Sequence, residues 1–246
     1  MPGIQIVKLD EGGVNARILA RETKADFRRV EAASLKMRSR FTSAEGKRFF
    51  VRYFSTLQLN THFISVIART RLDHDDVAKV EAALRTQMDT VNDNLNKAID
   101  GSEALFKSHG VTSIATYDTV PLDVDVGVMS SIGRRYLELL GKLDQLMPLL
   151  QTLEIHEVIS TEVVDTQRAV LKREVRNLSS AARNYAAGMR RRMNVVATRD
   201  GLAPIGDPEA AARETEIDTL DTNVLAGHSG QDTSASTEVE QAALGR

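Results

Sequence analysis

Two stretches of this chain place apolar side chains at spacings of three and four residues. Val77, Val80, Leu84, Met88, Val91, Leu95 and Ala98 form the first; Leu171, Val175, Leu178, Ala182, Tyr185 and Met189 form the second, a strict four-three repeat. At 3.6 residues per turn such spacing lines one face of a helix and needs another helix to cover it. That requirement points to a mainly α protein, a helical bundle of long amphipathic helices. Only five prolines occur, and Pro2, Pro204 and Pro208 lie at or outside the edges of the helical body. Aromatics are 4% and Trp is absent, so Leu, Val, Ile, Ala and Met must make the core.

Around these seams the local signals divide the chain. Ile4–Leu9 reads as a short strand ended by Gly12-Gly13, and Val14 to about Arg40 reads as a basic helix carrying Val14, Ile18, Phe27, Val30 and Met37. Thr42 with Glu45 is a capping-box signature for a helix to about Arg71, with Phe50, Phe54, Leu57, Ile64 and Ala68 on its apolar ridge. Asp73 is the next N-cap, with Asp75 and Asp76 in the first turn where the helix dipole favours acids. That helix ends near Gly101 or continues to His109-Gly110. Residues 111–128 gather Val, Thr, Ile and Tyr around Pro121, and Asp123-Val-Asp-Val126 alternates with period two, so a small β-hairpin or strand pair is expected there. Helix returns from Ser130 to about Thr152, where Pro148 kinks it or starts a new turn, and again from Ser160 to about Val196.

Several chemistries are excluded or unsupported. With no Cys there is no disulfide scaffold, thiol nucleophile or Cys-based zinc site. His156-Glu157 opens like a zinc-protease helix, but Ser160 stands where the second His belongs. Asp123-Val-Asp125-Val-Gly127 faintly resembles a calcium loop, yet Val128 holds its required Gly position. No phosphate-cradling Gly loop occurs, and Gly227-His-Ser-Gly230 lacks the context of a nucleophile elbow. The expectation is a protein that is not an enzyme, with no cofactor, no metal and no small-molecule substrate. The N-terminus has no signal-peptide layout and no apolar run is long enough for a bilayer, which points to a cytoplasmic protein without membrane contact.

Charge is the most functional-looking feature. The chain's net charge is −2, but from Asp200 to Arg246 ten acids face two bases, leaving a net of +6 on the remainder. The expected organisation is a helical body over 1–198 and an acidic, disordered tail over 199–246, too poor in large apolar side chains to offset its ordering entropy. Eleven bases stand against four acids between Arg17 and Arg52, and the last helix is rich in Arg. Such surfaces neutralise nucleic-acid phosphates, although charge runs also simply solvate a face. The candidate DNA-binding residues are Arg28, Arg29, Lys47, Arg48, Arg134, Arg135, Lys172, Arg173, Arg176, Arg190, Arg191 and Arg192. The seam on the last helix packs within the chain or makes a homodimer; spacing alone does not choose.

From Ala115-Thr-Tyr-Asp-Thr-Val-Pro-Leu-Asp-Val-Asp-Val-Gly-Val128, through Gly133-Arg-Arg-Tyr136 and Leu143-Asp-Gln-Leu146, to the basic helix beyond, the sequence resembles the AcaB-like family of integrating conjugative elements and conjugative plasmids. The resemblance covers roughly residues 60–195. It implies a transcriptional regulator of a mobile element that binds DNA as a ribbon-helix-helix dimer, inserting a two-stranded ribbon into the major groove. The local match to such a strand is Asp123–Val128; Ile4–Leu9, with Gln5 and Lys8, is the alternative. A helical scaffold or adaptor that binds a protein partner through its seams is the second reading.

Overall fold

The structure, a computed structural model, describes residues 32–199 and Gly201. Within them, β1 (Leu35–Phe41) leads into α1 (44–70), followed by α2 (His74–His109), β2 (Leu122–Val128), α3 (Ser131–Ile155) and α4 (Thr161–Arg199). The protein is mainly helical, four helices with a two-stranded antiparallel sheet. The chain divides into two units, 1–195 and 196–246. The geometry below belongs to the first; of the second, only the end of α4 and Gly201 are described.

Helix α3 is the centre. Ile132, Tyr136, Leu137, Leu139, Leu140, Leu143, Leu146, Met147, Leu149, Leu150 and Leu153 are all buried, and a helix apolar around most of its circumference must be surrounded. Both strands, α1 and α2 pack on it. Pro148 lies inside α3, which continues to Ile155. Helix α4 joins the bundle through Tyr136 Oη, which donates to the Val175 carbonyl at 3.1 Å, and Ser179 Oγ, which donates to the Tyr53 carbonyl at 3.3 Å. Its apolar positions Leu171, Val175, Leu178, Ala182 and Met189 are buried within the chain.

The expected α1 ridge is buried in full, from Phe50 to Ala68. Phe41, Phe50 and Phe54 stack in sequence, with ring centroids 5.0 and 5.5 Å apart. Helix α1 widens to π-helix over Phe50–Phe54 and Phe63–Ile67 and tightens to 3-10 over Ala68–Thr70. Asp73 caps α2 by accepting from the Asp75 amide, and Gly110 ends it at a φ of 67°.

Two expectations need correction. The stretch up to Arg40 is not helical at its end: residues 35–41 form β1, while the expected strand Ile4–Leu9 and helix residues 14–31 lie outside the described residues. The reason is the alternation of Leu35, Met37, Ser39 and Phe41 with Lys36, Arg38 and Arg40, which suits a half-buried strand. The strand pair near 111–128 is not a local hairpin either: β2 pairs antiparallel with β1, Leu35 opposite Val128 and Phe41 opposite Leu122.

That pairing gives the chain an internal symmetry. Strand, helix, helix occurs twice, as β1–α1–α2 and β2–α3–α4. The repeat shows in sequence, Phe-Thr-Ser-Ala-Glu-Gly-Lys-Arg-Phe-Phe over 41–50 against Val-Met-Ser-Ser-Ile-Gly-Arg-Arg-Tyr-Leu over 128–137. Ser43 and Ser130 are the two N-caps, each accepting from the amide of the Gly three residues on, Gly46 and Gly133. Arg38 and Asp125, at equivalent positions of the two halves, face each other at the middle of the ribbon, where an approximate twofold axis passes.

Candidate nucleic-acid interface

Period two sorts the ribbon's side chains. Leu122, Val124, Val126, Val128 and Phe41 are buried, and Met37 and Ser39 are partly so. The other face carries Lys36, Arg38 and Arg40 from β1 and Asp123, Asp125 and Gly127 from β2. Five of these six are exposed and Gly127 is half-buried. The register sets Arg38 beside Asp125 and Arg40 beside Asp123. None of these four side chains makes an ion pair or hydrogen bond among the described residues, so their charges remain available. Lys36 lies over Gly127, its Nζ 3.3 Å from where a Cβ on that glycine would stand.

Two buried polar side chains hold the ribbon to the helices. Asp144 of α3 accepts from the Thr42 amide (2.9 Å) and hydroxyl (3.0 Å), and from the Ser43 amide (2.8 Å) and hydroxyl (2.6 Å). It fixes the joint between β1 and α1. Gln58 of α1 donates to the Gly127 carbonyl (2.9 Å) and accepts from the Met129 amide (3.1 Å), fixing the joint between β2 and α3. Each half thus anchors the strand end of the other. The first joint needs glycine, because a Cβ at Gly46 would stand 2.8 Å from Asp144 Cβ; at the second joint a Cβ on Gly133 would meet Gln58 Oε1 at 3.0 Å, a tight contact with a flexible side chain.

Beside the first joint, Tyr117 lines a cleft of about 190 Å³ with Thr42, Thr119, Pro121 and Pro148. Burial, then the nearby Glu45 carboxylate and the Asp144 carboxylate, push its phenol up from 10.0 to about 12, against the lowering effect of Arg168. Burial likewise holds the Tyr136 phenol well above the ordinary range.

The residues singled out in the sequence fall in four places. Arg28 and Arg29 lie outside the described residues. Lys47 and Arg48 on α1, and their equivalents Arg134 and Arg135 on α3, occupy the first turns of the helices that leave the ribbon. Lys47 is buried and its Nζ donates to the Val120 carbonyl at 2.6 Å, so that ammonium is committed inside the protein. Arg48 is exposed. Arg134 pairs with Glu138 at 3.0 Å, and Arg135 pairs with Asp89. On α4, Arg173 and Arg176 are exposed and Lys172 is half-buried, none with a partner among the described residues. Farther along, Arg190 stacks 4.4 Å over Phe63, Arg192 pairs with Asp76 at 3.1 Å, and Arg191 faces solvent. Lys36, Arg38 and Arg40 were counted in the basic run but not singled out; the period-two alternation of 35–41 is the signal that marks them.

A strand–helix–helix unit is used twice, with its two strands joined antiparallel, in a mainly helical protein. The chain belongs to the AcaB family of transcriptional regulators, whose sequence profile matches residues 76–237, and this is a family of regulators, not of enzymes. The match includes most of α2, all of β2, α3 and α4, and residues beyond them; β1 and α1 precede it. The fold is similar to that of the crystal structure of selenomethionine-containing AcaB from uropathogenic E. coli, with a TM-score of 0.59 and 20% identity, covering 70% of this chain and 86% of that one. A search of curated protein sequences finds no match. Among the described residues no helix is long and apolar enough to cross a membrane.

Proposed function

We propose that this protein is a DNA-binding transcriptional regulator that presents the outer face of the β1–β2 ribbon to the major groove. The observation that carries the reading is the row Lys36, Arg38 and Arg40, standing on a ribbon whose two strands are each held at the C-terminal end by a buried polar side chain, Asp144 for β1 and Gln58 for β2. A two-stranded β-ribbon fits the major groove, and base edges there are read by side chains held on such a rigid element. Arg48, Lys172, Arg173, Arg176 and Arg191 supply phosphate contacts, the sequence-independent part of the affinity. A role on a conjugative or other mobile element, and a cytoplasmic location, fit this reading.

The acids of β2 are compatible with DNA. Asp123 and Asp125 would repel phosphates alone, but Arg40 and Arg38 stand beside them. The ribbon also arises within one chain, so a homodimer is not needed to build it, and a second copy would bring a second ribbon. The scaffold reading loses its main support, because the seam of α4 is covered internally.

Fluorescence anisotropy of the full chain on a random duplex across a salt series tests the proposal. Affinity should fall steeply with salt, in proportion to several neutralised phosphates, and Arg48→Ala with Arg173→Ala should make the slope shallower by roughly two. No binding at low salt would overturn the reading.

A further inference from the structure

A ribbon made by two identical chains shows the same side chains on both strands, related by a dyad, and so matches a palindrome. This ribbon keeps the geometry and breaks the chemistry. The twofold-equivalent outward residues are Lys36 and Asp123, Arg38 and Asp125, Arg40 and Gly127. One strand offers only hydrogen-bond donors, the other carboxylate acceptors and a gap.

We infer that the ribbon reads a directional, non-palindromic DNA sequence whose core is two G·C pairs with both guanines on the same DNA strand. The inference rests on the DNA-binding reading above and deepens it. In the major groove a G·C pair shows the N7 and O6 acceptors of guanine next to the N4 amine of cytosine. An arginine beside an aspartate complements that edge: the guanidinium donates to N7 and O6, and the carboxylate accepts from N4. The register supplies two such pairs, Arg38 with Asp125 and Arg40 with Asp123. Arg38 and Arg40 are two residues apart on β1, about 7 Å of strand, close to two base steps. Both arginines stand on β1 and both aspartates on β2, so both guanines fall on the DNA strand nearer β1. No ion pair closes Arg38 on Asp125 or Arg40 on Asp123 among the described residues, so these groups can turn to the bases without first breaking a bond within the protein.

The test is selection of a randomised duplex pool by the full-length protein, with sequencing of the bound fraction, repeated with Asp125→Asn. Asp125 is exposed, and circular dichroism checks that the fold is kept. The expected result is a non-palindromic sequence with two guanines on one strand. Asp125→Asn should shift one of those positions from G·C towards A·T, because an amide pairs with adenine N6 and N7, with roughly a tenfold change in preference there. A sequence palindromic within the few base pairs that one ribbon spans would overturn the inference, whereas an inverted repeat of a directional half-site would not; an Asp125→Asn protein of unchanged preference would overturn it too. Salt-sensitive binding of the pool without any enriched sequence would overturn it and leave the DNA-binding reading standing. Absence of any binding would overturn both.

Discussion

Asp144 shows how much one residue can organise here. Its two carboxylate oxygens take four hydrogen bonds from Thr42 and Ser43, and Ser43 in turn caps α1 through the Gly46 amide. Asp144→Ala leaves two buried backbone donors and two hydroxyls without this acceptor and should cost roughly 3 kcal/mol of stability, read from the urea midpoint. Gly46→Ala drives a methyl into the same carboxylate and should cost about 1–3 kcal/mol. Tyr117 makes a prediction about pH. Its phenol is pushed up to about 12 from 10.0, so the folded protein keeps a proton that the unfolded chain releases first. The contribution is full below pH 10 and is lost as pH rises through about 12. Tyr117→Phe should flatten that alkaline loss of stability in denaturation experiments and remove a late step from the absorbance titration.

At the level of elements, the helices were legible and the sheet only half so. Spacing of three and four located α2 and α4, because a helix face is written within a few turns of its own sequence. Asp73 as a cap was equally local. The first cap was placed one residue early, at Thr42, because Thr42 and Ser43 are both competent caps and the choice lies with Asp144, distant in sequence. Strand β2 announced itself by alternating Asp and Val, but its partner could not be read from neighbours. Strand β1 lies at the end of a basic run without a Gly or Pro breaker, and its alternation becomes decisive only against β2. Of the interface, the charges were visible, but burial and pairing were not: Lys47 turns inward while Arg38 and Arg40 turn out. Gly101, inside α2, has nothing within 4 Å of an added Cβ. Gly101→Ala should therefore raise stability by about 0.5–1 kcal/mol, opposite in sign to Gly46→Ala, as measured by thermal melting.

At the scale of the whole molecule, charge is unevenly shared. Residues 200–246 carry a net of −8, so a chain ending at Arg199 has a net of +6 where the full chain has −2. DNA is a polyanion, and like charge held on the same molecule weakens its attraction at distances within the screening length. Deleting residues 200–246 should tighten binding to a random duplex at low salt, and the difference should shrink as salt is added. Equal affinity of the two forms in the anisotropy assay would contradict this role for the acidic segment.

The joining of two strand–helix–helix halves in one chain has a consequence for dilution. Subunits that meet to make a ribbon come apart below their dissociation constant, and each then lacks its reading element. Here the peptide chain from α2 to β2 supplies the second strand at a fixed effective concentration, so the ribbon closes by a first-order step. It stays assembled however few copies are present. The same tether frees each half to change without the other, because a substitution in β1 is not copied into β2.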